Sequence, residues 1–384
     1  MKRFYSLSVL ITFLSLYSFS QMIDNDNLVI THGPYLQNLD ASGVTIIWTT
    51  NKPAVPGISL TYPDGLKRFI RNSHDGIIDG GGLLHKVRVE GLEAGTTYQY
   101  SINSIQILKY QAYKIYYGDT IDMKPLSFTT LNPKAEKTNF TVVNDVHEYS
   151  GKLASYIRNG NPAAQEFFIY NGDMVNYVQS PEQLFTGFID TTVAYFARTR
   201  AFFYARGNHE ARGYAGREFK NYFDFRDNRF YYSFDHGPVH FVVLDCGEDK
   251  PDDNRYYYGL ADYDSYRLEQ LEWLKKEVKS DAFRKAKYRI VIVHMPILNE
   301  GSRGHGMKFL ADNFGPVLKT AKINLMLSGH THRNSFHARG EAGQEYPVLV
   351  NSNNSFVEIY VDKEKIRAVV RDVNGGNIAE YEFR

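Results

Sequence analysis

Between Leu28 and Thr130, apolar and polar residues alternate with a period of two, interrupted by turn residues roughly every eight to twelve positions. GVTIIWTT (Gly43–Thr50), HKVRVEGL (His85–Leu92), TTYQYSI (Thr96–Ile102) and LSFTT (Leu126–Thr130) read as strands. The pattern predicts a small all-β sandwich of about 100 residues. Trp48 is expected in its core, and Tyr98, in a Leu-x-x-Gly-Thr-x-Tyr turn, is expected to form a tyrosine corner. Asp79-Gly80-Gly81-Gly82 is not followed by Gly-Lys-Ser/Thr, so it reads as a turn between strands and not as a phosphate loop.

Leu131-Asn132-Pro133-Lys134 reads as a linker, and the pattern changes after it. Short, continuously apolar runs now end in polar loops: NFTVV (Asn139–Val143), EFFIY (Glu166–Tyr170), AFFYA (Ala201–Ala205), VHFVVL (Val239–Leu244), YRIVIV (Tyr288–Val293) and INLMLS (Ile323–Ser328). Such runs read as short strands. Helical stretches separate several of them. The clearest is Asp264–Val278, where Leu268, Leu271, Leu274 and Val278 are expected to mark the buried face. Strands alternating with helices predict an α/β domain with its site along the strands' C-terminal edge.

Ahead of both regions, Met1-Lys2-Arg3 is a short basic start followed by an uncharged stretch that lasts until Asp24. Its apolar heart, and Ser18 and Ser20 before Gln21, match a secretory signal peptide over residues 1–20. Its serines make it a poor membrane span, so no stable membrane anchor is expected and the product is expected to be secreted or periplasmic. The domain expectation is therefore a signal peptide at 1–20, a β-sandwich at 21–132 and an α/β domain at 133–384.

Composition narrows the chemistry. Lys plus Arg (44) nearly equals Asp plus Glu (43), which lacks the basic stripe of a nucleic-acid binder. The single cysteine, Cys246, excludes a disulfide scaffold and an all-cysteine metal site, and it reads as a buried small hydrophobe. Metal chemistry must come from oxygen and imidazole donors, and there are 12 histidines.

Five of the predicted strands end in such donors. They are followed by Asn144-Asp145-Val146-His147, Asn171-Gly172-Asp173-Met174, Arg206-Gly207-Asn208-His209-Glu210, His294-Met295-Pro296 and Gly329-His330-Thr331-His332. Each element alone is weak, but five in one order are not. Two metal ions about 3.5–4 Å apart can clamp the attacking and leaving oxygens of a phosphoryl displacement. Such a site needs one carboxylate between the ions and mostly neutral ligands. Asp145, His147, Asp173 and His332 can serve one ion, and Asp173, Asn208, His294 and His330 the other. Gly172, Gly207 and Gly329 are expected to allow the sharp turns that aim these side chains at one point.

The block from Asp145 to His332 resembles the calcineurin-like metallophosphoesterase superfamily, whose pattern D-x-H, G-D, G-N-H-E/D, H, G-H-x-H it matches throughout. Gly33-Pro34-Tyr35-Leu36-Gln37 and the Trp48 strand resemble the fibronectin III-like N-terminal domain of purple acid phosphatases. The resemblance implies a four-layer αββα catalytic domain, a metal-bridging hydroxide as nucleophile, and His209 as proton donor to the leaving group. An alternative for His209 is a residue that only orients Asn208. One departure is informative. Purple acid phosphatases carry an iron-ligating tyrosine three residues after the second-motif Asp, where this chain has Asn176, while His147 is added in the first motif. Two divalent ions against two carboxylates leave the same +2 as a trivalent–divalent pair against two carboxylates and a tyrosinate. The expectation is a colourless site holding two divalent ions (Mn, Fe or Zn).

Arg303 and His305, just after the His294 strand, are further candidates for contact with substrate, and Tyr256-Tyr257-Tyr258 for walling the cleft. The reading that emerges is an exported phosphomonoesterase acting on small phosphate esters. A phosphodiesterase using the same ligands and a catalytically inactive binding or adhesion protein are its competitors.

Overall fold

The computed structural model describes residues 27–301 and 303–384, so the expected signal peptide lies outside the described residues. The N-terminal region is β-rich, and its organiser is one long strand, Gly43–Thr61. The first half of this strand pairs with Ile30–Gln37 and Gly82–Glu90, and the second half with Lys67–Ile70 and Thr97–Gln111. The register breaks between Thr49 and Ala54, at Asn51-Lys52-Pro53, where proline has no N–H for the ladder. Trp48 is fully buried and its indole N–H donates to Ser104 Oγ at 3.0 Å. Tyr98 Oη accepts the Glu93 backbone N–H at 2.9 Å, which makes the expected corner.

Gly33-Pro34-Tyr35-Leu36-Gln37 joins this region to the rest of the chain. Tyr35 Oη donates to the Tyr222 carbonyl at 2.7 Å and Gln37 Nε2 to the Phe202 carbonyl at 3.0 Å. His32 stacks on Phe185 with ring centroids 4.0 Å apart, and Lys86 Nζ caps the Phe223 carbonyl at 2.6 Å. One apolar core continues from Tyr35 and Trp48 into Phe140, Phe168 and Phe202.

The six predicted α/β strands form within two residues of their expected ends. They are divided between two six-stranded mixed sheets. The first runs, in spatial order, Phe202–Ala205, Phe167–Asn171, Thr138–Val143, Ser355–Val361, Ile366–Asp372 and Asn377–Phe383. The second runs Tyr232–His236, Val239–Leu244, Tyr288–Val293, Leu325–Ser328, Val348–Val350 and Ser335–His337.

Strand periodicity explains why continuously apolar runs were needed. Ile290 and Ile292 face the core between the sheets, whereas Val291 and Val293 face a second core. Aromatic rings fill the space between the sheets: Phe203 stacks on Phe234 at 4.0 Å, and Phe140 meets Phe241 edge-on at 5.2 Å. The second core lies under the helices Tyr263–Glu277, His305–Asn313 and Gly315–Thr320. On the far side of the first sheet, Phe168 stacks on Phe196 and Tyr156 packs on Phe356. The layers are therefore helix, sheet, sheet, helix.

The helix Tyr263–Glu277 corrects one expectation. Leu271 and Leu274 are buried, but Leu268 is 48% exposed, and Arg267 and Gln270 complete the inner face. Gln270 clamps the backbone of Asp245, accepting from its N–H and donating to its carbonyl, both at 2.8 Å. The helix packs on backbone at the end of a strand, which calls for polar side chains where periodicity predicts leucine.

Candidate metal centre

The two sheets place the C-terminal ends of their parallel strands at one edge. Asp145 and His147 follow the strand Thr138–Val143, Asp173 follows Phe167–Asn171, Asn208 follows Phe202–Ala205, His294 follows Tyr288–Val293, and His330 with His332 follow Leu325–Ser328. Asp145, His147, Asp173, His330 and His332 all adopt positive φ, between +52° and +69°. For residues other than glycine this costs roughly 1–3 kcal/mol each and concentrates at functional sites.

The glycines act differently from expectation. Only Gly172 (φ +82°) takes a left-handed turn. Gly207 and Gly329 are required for close approach. A Cβ on Gly207 would sit 2.2 Å from Asp173 Oδ1, and one on Gly329 2.7 Å from Asp145 Oδ2.

All seven candidate ligands are brought together. Asp145, His147 and His332 form one cluster and Asp173, His294 and His330 another, the donor atoms of each lying within 4.8 Å of one another. Asn208 Oδ1 lies 3.1 Å from His330 Nδ1. The donor atoms themselves test whether cations fit. His294 Nδ1–H donates to the Asn171 carbonyl at 2.7 Å, which turns Nε2 toward Asp173 Oδ2, 3.0 Å away. His294 Nε2 and Asp145 Oδ1 are buried without hydrogen-bond partners. His147 Nε2 and His332 Nε2 face each other at 3.1 Å. Carboxylate oxygens and imidazole nitrogens converging this closely are a donor set that metal ions satisfy.

Electrostatics agree. Burial opposes charge on His294, yet Asp173 and Asp145 outweigh it and push its pKa up to about 10. The carboxylate pair thus draws positive charge into a fully buried position. Burial and the charge of His294 together lower His330 to about 4, so it stays neutral, as a ligand must.

The side chains that hold this arrangement were not singled out from the sequence. Asn144 Nδ2 and the His330 N–H both donate to Asp145 Oδ2, at 2.6 and 2.9 Å, which leaves Oδ1 for the cluster. Asn351 fixes Asn144 in turn, at 2.7 Å. Glu210 is fully buried and accepts from the N–H groups of Asp173 (3.0 Å), Met174 (2.8 Å) and Gly207 (2.9 Å) and from Tyr204 Oη (2.7 Å). Burial and the charge of Asp173 push its pKa up, but four donors facing one carboxylate leave no place for a proton, so it stays ionised. Glu210→Gln turns an NH₂ group toward two of those donors. We expect a stability loss of about 1–3 kcal/mol, read by chemical denaturation, with weaker metal retention.

His209 lies beside the clusters, its Nε2 3.8 Å from Asp173 Oδ2. Nδ1–H donates to the Asn176 carbonyl at 2.7 Å, and Nε2 accepts from Arg212 Nη1 at 2.8 Å, which fixes the neutral Nδ1–H tautomer. Asn176 also donates to the His147 carbonyl at 3.2 Å. The position where an iron-binding tyrosine was looked for therefore braces His147 and His209. Arg303 is exposed, and His305 is held by Asp264 at 2.7 Å; neither belongs to the two clusters. Cys246 is buried, as expected, and burial pushes its thiol up.

A family model for the calcineurin-like phosphoesterases matches residues 138–334, just over half of the chain. The chain belongs to this family. As a calcineurin-like phosphoesterase it is a phosphoric ester hydrolase, and the match begins at the first strand of the first mixed sheet. No curated protein sequence matches the chain. Among solved structures it is similar to the purple acid phosphatase PPD1 from yellow lupin (Lupinus luteus) seeds, with a TM-score of 0.66 and 14% identity over 93% of this chain and 74% of that one. It is also similar to PhoD, with a TM-score of 0.58 and 12% identity over 90% of this chain and 88% of that one. At these identities the likeness establishes a common fold. Among the described residues no helix is long and apolar enough to cross a membrane.

Proposed function

We propose that this phosphoesterase is an exported phosphomonoesterase with two divalent metal ions. Asp145, His147, Asp173 and His332 would hold one ion, and Asp173, Asn208, His294 and His330 the other. The observation that carries the reading is the convergence of carboxylate and imidazole donors from two sheets, with His209 3.8 Å from Asp173. Bound there, divalent ions supply Lewis-acid charge at the phosphoryl oxygens and lower the pKa of water.

The chain's own part is to position and to move a proton. Asn144 and Glu210 fix the carboxylates, and the Asn171 carbonyl sets the tautomer of His294. His209, held by Asn176, carries a proton at Nε2 to the departing oxygen once Arg212 yields that atom. Two divalent ions against Asp145 and Asp173 would leave +2, enough to attract an anionic phosphate ester together with a hydroxide. The likeness in fold to a purple acid phosphatase supports the monoester. Pairing of the Gly43–Thr61 strand with different partners along its two halves supports a fibronectin III-like N-terminal domain at 21–132. The basic start and Ser18-x-Ser20 support cleavage before Gln21 and a secreted or periplasmic product.

Metal analysis of the purified protein, paired with matched aryl phosphate mono- and diesters in added Mn(II), tests the reading. We expect two divalent ions per chain, no tyrosinate–iron absorption band, and faster turnover of the monoester. Preference for the diester, or an active purple sample, overturns it.

A further inference from the structure

A cavity of about 680 Å³ is lined by Arg212, the residue that bonds His209 Nε2. Arg212 is the hinge between the two places. Its Nη1 donates to His209 Nε2, its Nε and Nη2 grip Glu248 at 2.7 and 3.1 Å, and the same side chain lines the cavity. The rest of the lining is unusual for a surface recess. Tyr256, Tyr257, Tyr258 and Tyr263 contribute four phenol rings, and Leu260 adds an apolar rim. Tyr256, Tyr258 and Leu260 are 61%, 88% and 74% exposed, so these side chains border an open space and not a core. Tyr257 meets Tyr263 edge-on, with centroids 6.2 Å apart, which fixes one wall. Three of the four cations there are paired: Arg206 with Asp245 at 2.6 Å, Arg212 with Glu248 and Lys250 with Asp249 at 2.5 Å, while Arg217 is exposed. The recess is therefore built less for a second phosphate than for a flat apolar body.

We propose that this cavity is the leaving-group site and that it selects phosphate monoesters of aromatic alcohols over those of aliphatic ones. The proposal rests on the phosphomonoesterase reading above. In an in-line displacement the leaving oxygen departs opposite the nucleophile and takes its proton from the acid. With His209 as that acid, the group attached to the oxygen extends past His209 to Arg212 and the tyrosines. Ring faces and a guanidinium plane reward a flat aromatic group and give little to a short polyol.

The test compares 1-naphthyl phosphate with glycerol 2-phosphate on the Mn(II)-loaded full chain, in the parent, Tyr257→Ala and Tyr256→Ala. Tyr256 is exposed enough that its removal leaves the fold alone. We expect the ratio of kcat/KM for the aryl ester to that for the alkyl ester to fall tenfold or more in Tyr257→Ala. A smaller fall in the same direction is expected in Tyr256→Ala, with both carried by KM. A ratio that stays constant in both variants overturns the proposal. Quenching of protein fluorescence by 1-naphthol, with or without metal, reads the cavity without turnover and is expected to saturate and to weaken in Tyr257→Ala. A parent that cleaves neither monoester removes the monoesterase reading alone. The naphthol titration then decides the cavity, and absent or variant-independent binding overturns it.

Discussion

Asp173→Asn is expected to lower kcat/KM by at least ~10³-fold while leaving the fold intact. Asp173 belongs to the cluster of His294 and His330 and is the carboxylate proposed to serve both ions. Its Oδ1 accepts the His209 backbone N–H at 3.0 Å, and its Oδ2 faces His294 Nε2 at 3.0 Å. An asparagine keeps the volume and the first of these bonds. It removes a unit of negative charge from the centre, however, and with it part of the attraction that draws positive charge to His294. With its oxygen kept on the His209 N–H, the amide also turns toward His294 an NH₂ group, which no cation accepts as a ligand. Two measurements separate this from a folding defect. The parent's melting temperature should rise on adding Mn(II), since a ligand at ~100 times its Kd stabilises by about 2.7 kcal/mol. The variant should lose most of that rise, and its metal content should fall. A variant that turns over normally, or that keeps two ions per chain, removes Asp173 from the shared position.

How much of this was legible depended on how local each signal was. The strands were readable because burial on both faces demands an uninterrupted apolar run, and Ile290 to Val293 supply residues to both cores. The Tyr98 corner was readable because it closes over five residues. The donors were readable as types at strand ends, since a metal site requires those chemistries. The side chains that aim them were not. Glu210 closes the G-N-H-E/D motif, but its role is hidden until the chain folds, because its partners Asp173 and Met174 lie on another strand end. Gly207 illustrates the same limit. A sharp turn was the natural reading of a glycine there, but its function is to let Asp173 approach to a distance a methyl group would block. In the helix Tyr263–Glu277, Arg267 and Gln270 are inward because they meet backbone carbonyls and N–H groups at a strand end, and hydropathy carries no signal for such a surface.

His209→Ala is expected to lower kcat by roughly 10²–10⁴-fold on an alkyl phosphate, the usual range for a general acid. The loss on 4-nitrophenyl phosphate should be far smaller. The contrast follows from what the residue supplies. A nitrophenolate leaves without a proton, whereas an alkoxide does not, so only the alkyl ester needs His209. The geometry gives the proton a defined atom. Nδ1 is committed to the Asn176 carbonyl, so the mobile proton must sit at Nε2, where Arg212 now donates. Because Arg212 is also gripped by Glu248, it has a second partner to fall back on when Nε2 takes up a proton. Alanine preserves the backbone N–H that binds Asp173, so the carboxylate keeps its anchor and the comparison isolates the imidazole. A plot of log kcat against leaving-group pKa should therefore be steeper in the variant than in the parent. Equal losses on both esters would instead mean that His209 only orients its neighbour Asn208, and the acid would have to be sought elsewhere along the strand edge.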